Sequence, residues 1–209
     1  MDILSEEEKE LLHSPQIFKA KRSLEKKLFQ LLENTGQTLE SGNQRQSGVF
    51  PEEVVSIVPK VSRGENYLGY PWLVLDYPRY FTKSDVFAIR TFCWWTQGIS
   101  ITLQLSGKYL EQYLPAIASK AELLITESFY FGIHTDPWVH HFERENYVQP
   151  ESVQEIHQLL GEIRQRGFLK LMKRIPLEDL NGLSDHVIRF FELTQLLCSS
   201  RDGKSETSQ

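Results

Sequence analysis

The feature that most constrains the fold is the strict alternation of apolar and polar residues between Ile99 and Ser106. One side of an extended chain would carry Ile99, Ile101, Leu103 and Leu105. A period of two residues is typical of a β-strand with one apolar face. Thr96-Gln97-Gly98 separates this segment from another extended run, 86–95, and a short turn containing glycine predicts an antiparallel hairpin between the two.

Helical patterns flank this β-rich middle. Ser5 with Glu8 three residues later forms a capping-box pattern, and Ser14-Pro15 offers a second helix start. Apolar residues then recur at helical spacing in 18–32, 153–163 and 187–197. Strands that come in hairpins, without regular strand–helix alternation, favour an α+β fold. We therefore predict an antiparallel sheet of about five to seven strands, packed by N-terminal, late-middle and C-terminal helices.

Further β segments extend the predicted sheet, among them an extended run at 67–77 that contains Pro71 and therefore lies at an edge or begins after that proline. The short β-branched run 54–58 reads as a strand that Pro59 ends. Segments 127–134 and 138–144 read as a second hairpin around Thr135-Asp136-Pro137.

The chain of 209 residues suits one domain, which we place at 1–198. Gly36 is placed to end the first long helix, and 36–48 is rich in Gln, Ser, Gly and Asn, so the sequence predicts a flexible polar loop there. Residues 199–209 read as a polar, disordered tail.

Charge and composition narrow the possible partners and compartment. A net charge of -5 argues against a dedicated nucleic-acid binder, because such domains are usually basic. No run of 18 apolar residues is present, so we expect no membrane span, and the polar start does not resemble a signal peptide. Two cysteines far apart, Cys93 and Cys198, are typical of a reduced cytoplasmic protein.

Aromatic residues point to a binding surface. The chain has 12 Phe, 8 Tyr and 4 Trp, and most lie between Tyr67 and Tyr147. Aromatic and arginine side chains at a sheet edge can bind a small molecule or a protein partner without catalysis. The predicted rim consists of Arg63, Tyr67, Trp72, Asp76, Tyr77, Arg79, Arg90 and Trp94.

Two alternatives remain beside this hypothesis. A metal-assisted, hydrolase-like enzyme would use the imidazole and carboxylate groups of His134, Asp136, His141 and Glu143, the ligand types that zinc prefers. A homodimer would form through exposed apolar stripes that include Phe18, Leu24 and Phe190. The sequence has no GxSxG nucleophile elbow and singles out no carboxylate pair, so it assigns no catalytic residue and no cofactor.

Overall fold

A computed structural model describes residues 3–45 and 49–199 of the chain. The described helices are α1 (Glu6–Leu12), α2 (Pro15–Arg45), α3 (Glu52–Val55), α4 (Lys108–Ala118), α5 (Ala121–Thr126), α6 (Val153–Arg166) and α7 (Leu183–Cys198), with a short 3₁₀ helix at Leu177–Gly182. The described strands are β1 (Lys60–Tyr67), β2 (Tyr70–Phe81), β3 (Val86–Trp94), β4 (Gly98–Ser106), β5 (Tyr130–Gly132), β6 (Tyr147–Val148) and β7 (Phe168–Ile175).

All seven strands form one antiparallel sheet in the order β1-β2-β3-β4-β7-β5-β6. Strands β1 to β4 are consecutive hairpin neighbours, and β7 then returns to pair with β4. The predicted hairpin across Thr96-Gln97-Gly98 is confirmed, with Phe87 opposite Leu105 and Cys93 opposite Ile99. The α+β class and the antiparallel sheet are therefore as the sequence predicted.

Helices cover one face of this sheet, and the alternation in β4 explains why. Ile101, Leu103 and Leu105 all point to this face and are fully buried. Helices α2, α4, α6 and α7 contribute apolar residues to the same core, including Leu32, Ile117, Ile163 and Leu197. Burying each such aliphatic side chain contributes roughly 1.5–3 kcal/mol, so this helix-covered face is the main source of stability.

The first long helix does not end at Gly36, which is a correction to the predicted loop. Helix α2 continues through Gly36 to Arg45, and residues 46–48 lie outside the described part of the chain. A Cβ at Gly36 would lie 2.8 Å from the Pro59 Cβ and 3.0 Å from the Leu75 Cδ1. The glycine therefore allows the helix to approach the sheet closely, and the adjacent Thr35 and Leu39 are buried.

Two predicted strands are also wrong. Residues 52–55 form the short helix α3, where a strand over 54–58 was expected. Residues 138–144 form no strand, and β5 pairs instead with Tyr147-Val148. The reason is local: the Asp136 side chain accepts a bond from the Trp138 amide, and the Asp136 amide donates to His134 Nδ1. These turns curl the chain away from the extended form that a hairpin requires.

The remaining expectations concern the chain termini and the helical surfaces. The predicted tail falls on residues outside the described range, except for Ser199. None of the described helices has the length and apolar character needed to cross a membrane. Phe18 and Leu24 are exposed as a dimer stripe requires, but Phe190 is buried in the core against Phe129.

Candidate functional site

The face of the sheet opposite the helices is covered by an irregular segment. Residues 133–146, here called the covering segment, contain no helix or strand and cross the central strands. The buried polar side chains on this loop-covered face include Asp76, Thr102, Gln104 and Lys170. The β4 alternation sends its polar residues here, so the sequence pattern itself produces a polar layer beneath the segment.

Asp76 and Arg90 form the centre of this layer. They lie opposite each other on β2 and β3, and the Arg90 Nε and Nη2 donate to Asp76 Oδ1 and Oδ2 at 2.7 and 3.1 Å. The third guanidinium nitrogen, Nη1, lies 2.9 Å from Nε2 of His140 in the covering segment. Paired bidentate bonds orient the guanidinium, so Arg90 anchors the segment to the sheet.

Lys170 is the second anchor. It lies on β7, opposite Gln104 of β4, and its side chain is 2% exposed. Its Nζ donates to the Val139 carbonyl at 2.5 Å. Its Nζ also lies 3.5 Å from His140 Nδ1. Burial, with a smaller contribution from Arg90, lowers the Lys170 pKa to about 7. Burial, with a smaller contribution from neighbouring basic groups that include Arg90, likewise lowers the His140 pKa well below its usual value.

Aromatic rings surround the covering segment. The Tyr67 hydroxyl accepts from the His140 amide at 3.0 Å and lies 3.0 Å from His141 Nδ1. Its ring makes edge contacts with Phe92 and Trp94. The Arg90 guanidinium lies 5.8 Å from the Trp138 ring centre. These contacts close the loop-covered face in this structure, so the rings pack against protein groups.

The structure brings together five of the eight predicted rim residues. Tyr67, Trp72, Asp76, Arg90 and Trp94 all lie on the loop-covered face, where Trp94 and Trp72 contact Tyr67 and Phe92 respectively. The other three lie elsewhere.

The sheet separates three predicted rim residues from the five on the loop-covered face, namely Arg63, Tyr77 and Arg79. Arg63 pairs with Glu25 on the helix side at 2.6 Å. Tyr77, which precedes Pro78 through a cis peptide bond, is buried against Phe191 on the helix side. Arg79 donates from Nε to the Val58 carbonyl at 2.7 Å. An irregularity in register between Asp76 and Arg79 accompanies this separation.

The residues of the metal hypothesis lie near one another along the covering segment. His141 Nε2 is 3.7 Å from Glu143 Oε2, and its Nδ1 faces the Tyr67 hydroxyl. His134 uses its Nδ1 to accept from the Asp136 amide. Within residues 3–45 and 49–199, no group of three or more His, Cys, Asp or Glu side chains is arranged to hold a metal ion.

A cleft of about 430 Å³ lies beside the turn between β3 and β4, and it is called the turn cleft below. Its walls include Gln97, Tyr130, Arg174 and Glu178. The Arg174 guanidinium lies over the Phe142 ring at 4.2 Å, and it forms no hydrogen bond or ion pair within the described part of the chain. The volume is within the range of small-ligand sites.

A second cavity, the apolar pocket, has a volume of about 250 Å³ and adjoins the turn cleft. The two share Thr96, Gly98 and Leu177 as wall residues. Other walls of the apolar pocket are Leu24, Leu28, Trp95 and Leu180. The Trp95 Nε1 is buried and has no hydrogen-bond partner among the described residues. A cleft with one arginine and one glutamate in its walls thus lies next to an apolar pocket.

Sequence reasoning missed Arg174, Tyr130 and the apolar pocket. Arg174 lies in β7, and the sequence of residues 168–175 fits either a strand or a continued helix, so its neighbours could not be inferred. The available signal was Thr96-Gln97-Gly98, because turns beside sheet ends often carry binding residues.

Comparison of the chain with models of known protein families, with curated proteins and with solved structures found no match. The functional argument therefore rests on the geometry of these cavities and side chains.

Proposed function

We propose that the domain binds a small amphiphilic carboxylate, without catalysis, at the turn cleft and the apolar pocket. The carboxylate would lie against Arg174, and the hydrocarbon part would enter the pocket formed by Leu24, Leu28 and Trp95. The observation that carries the proposal is that Arg174, which forms no ion pair among the described residues, lines a cleft that shares wall residues with an apolar pocket. This keeps the predicted mode of binding, through aromatic and arginine side chains, and moves it to different residues.

The charge and polarity of the two cavities favour this ligand class. The Phe142 ring holds the Arg174 guanidinium in place, which reduces the entropy lost when an anion binds. Arginine recognises carboxylates through parallel hydrogen bonds. Glu178 also lines the cleft, so a ligand with a cationic head is the competing possibility that an experiment must separate.

Octanoate is a suitable probe, and isothermal titration calorimetry is a suitable measurement. A ligand of about ten non-hydrogen atoms and ordinary binding free energy per atom binds with about −4 to −5 kcal/mol, which corresponds to a Kd of about 0.2–1 mM. Arg174→Met should weaken octanoate binding about tenfold, because a charge-assisted hydrogen bond is lost. The exposed Arg144 provides the matched control, and Arg144→Met should leave the affinity unchanged.

The apolar half of the proposal has its own pair of variants. Leu24 and Phe18 are similarly exposed on α2, at 42% and 45%, but only Leu24 lines the pocket. Leu24→Glu should abolish octanoate binding, and Phe18→Glu should not. Equal binding of octylamine and octanoate, or no saturable heat with octanoate, would overturn the proposal.

A further inference from the structure

The arrangement of Arg90, His140 and Lys170 fixes where the protons lie. A guanidinium can only donate hydrogen bonds, so His140 Nε2, 2.9 Å from Arg90 Nη1, must be the acceptor nitrogen of its ring. The ring hydrogen then lies on Nδ1, which faces the Lys170 Nζ at 3.5 Å. A charged ammonium group has no lone pair to accept it, whereas a neutral amine does. The hydrogen-bond chain therefore matches an uncharged Lys170.

The surroundings of Lys170 agree with that protonation state. Within the described residues Lys170 forms no ion pair, although its side chain is almost fully buried. Arg90 on β3 and Arg166 on α6 disfavour its charge, and Asp136 in the covering segment is the acidic group that opposes them. The resulting pKa of about 7 leaves a large neutral fraction at neutral pH. A lysine in ordinary solvent is neutral there only at about one part in several thousand.

We propose that Lys170 is a nucleophilic amine that condenses with a small aldehyde or ketone to form an imine. The Nζ lone pair forms the new C–N bond, and the carbonyl π electrons move to oxygen, which takes up a proton. Nζ loses one proton to give a carbinolamine, whose hydroxyl takes up a second proton from solvent and leaves as water, and the resulting protonated imine releases its remaining N–H proton to give the C=N bond. Desolvation beside another cation is a known way to activate a lysine.

Access to Lys170 requires the covering segment to move. Val139 and His140 lie directly over Nζ, and residues 133–146 have no strand pairing to the sheet beneath them. The segment is held by the Lys170 and Arg90 bonds, by contacts of the Tyr67 hydroxyl with His140 and His141, and by a bond from the Tyr147 hydroxyl to the Val139 carbonyl. Ring contacts of Trp138 and Phe142 add to these bonds. Local openings of this kind cost less free energy than global unfolding. A small carbonyl compound can therefore reach Nζ while the helix-covered core stays folded.

Reductive trapping with acetaldehyde and cyanoborohydride tests the proposal on the intact chain. Hydride transfer to the imine carbon leaves an ethyl group on Nζ, which peptide mass spectrometry locates. Labelling of Lys170 should rise with a midpoint near pH 7, whereas the neutral fraction of an ordinary lysine amine, with a pKa of about 10.4, rises only at higher pH. The exposed Lys19 is the comparison. Lys170→Arg should remove this label and no other.

Two Tyr→Phe substitutions, each of which deletes one hydroxyl group, separate the accessibility of Lys170 from the reactivity of its amine. Tyr67→Phe removes both hydroxyl contacts to the covering segment and should accelerate Lys170 labelling severalfold. Tyr70→Phe is the control, because Tyr70 is exposed and its hydroxyl forms no bond within the described residues. Circular dichroism checks that both variants fold.

The proposal is overturned if Lys170 stays unlabelled in folded Tyr67→Phe protein while Lys19 reacts. It is also overturned if Lys170 and Lys19 share one pH dependence. This inference is independent of octanoate binding, since Lys170 lines neither the turn cleft nor the apolar pocket. Lys170→Met should leave the octanoate affinity unchanged, so each proposal can fail alone.

Discussion

The two faces of the sheet use the same strands but reach stability by different means. Four helices cover one face with aliphatic and aromatic side chains, and two charged strand residues on that side, Arg63 and Lys173, pair with Glu25 and Glu127. The other face carries Asp76, Arg90 and Lys170 beneath a segment without regular structure. Apolar packing needs no particular partner, whereas each buried charge needs a specific one.

This difference assigns different roles to the two faces. The helix-covered face has little room for change, as the close approach of Gly36 to Pro59 shows. On the loop-covered face, the same hydrogen bonds that satisfy the charges also hold the covering segment in place. Removing one of these bonds both leaves a buried side chain without a partner and loosens the covering segment. This arrangement suits a face that opens to small molecules.

The largest effect is expected from Phe87→Ala on the helix-covered face. Phe87 is fully buried and its ring contacts Phe50, Tyr109 and Tyr113. Truncation should lower the free energy of unfolding by about 3–5 kcal/mol, measured by urea denaturation. Trp138→Ala on the covering segment removes a larger ring that is 49% exposed, and should cost about 1 kcal/mol or less. Equal losses of unfolding free energy in the two variants would contradict the proposed difference between the two faces.

The next effect concerns the Asp76–Arg90 pair. Asp76→Leu leaves the guanidinium partly buried without its carboxylate and should cost about 2–4 kcal/mol. The double variant Asp76→Leu, Arg90→Met removes both charges and should recover much of that loss in the same urea experiment. A double variant as unstable as the sum of its single variants would show that the pair does not act as a unit.

Much of the helix-covered face could be predicted from the sequence, because it follows from periodicity. The alternation 99–106 identified β4 and its inward side, and the Ser5–Glu8 capping box identified the start of α1. The continuation of α2 could not be predicted at Gly36, because the reason for that glycine is Pro59, a residue distant in sequence.

The candidate sites depend far more on long-range contacts. Asp76 and Arg90 were both named as rim residues, but the sequence could not show that they pair with each other across β2 and β3. Lys170 was not singled out, since its character depends on Val139 and His140, which approach through tertiary structure. The same holds for Arg174 and its contact with Phe142.

A smaller effect links stability on the loop-covered face to pH. The Lys170 pKa is about 7 in the folded chain and about 10.4 in an unfolded one. Between these values the unfolded chain binds more protons at this site, so this lysine makes the unfolding free energy rise with pH. Lys170→Met lacks this contribution. Its stability relative to wild type should therefore fall by about 2 kcal/mol from pH 7 to pH 9.

Urea denaturation at the two pH values measures this change. Lys173 lies on the same strand and pairs with Glu127 at 2.7 Å, so Lys173→Met provides the matched control. It should be destabilising at both pH values, because an ion pair is lost. A pH-independent difference between Lys170→Met and wild type would show that Lys170 is charged in the folded protein.

The smallest effect is expected from alanine substitutions at two helical glycines, Gly36 and Gly161. Their comparison tests how tightly the helices pack against the sheet. A Cβ at Gly161 on the exposed side of α6 meets no atom within 4 Å, whereas one at Gly36 meets Pro59 and Leu75. Gly161→Ala should stabilise the protein by about 0.5–1 kcal/mol through helix propensity. Gly36→Ala gains the same propensity but must displace the Pro59 ring, so it should destabilise by about 1 kcal/mol. Thermal unfolding measures both. Stabilisation by Gly36→Ala would mean that the helix-covered face retains room to adjust, and the contrast with the loop-covered face would then lie in charge alone.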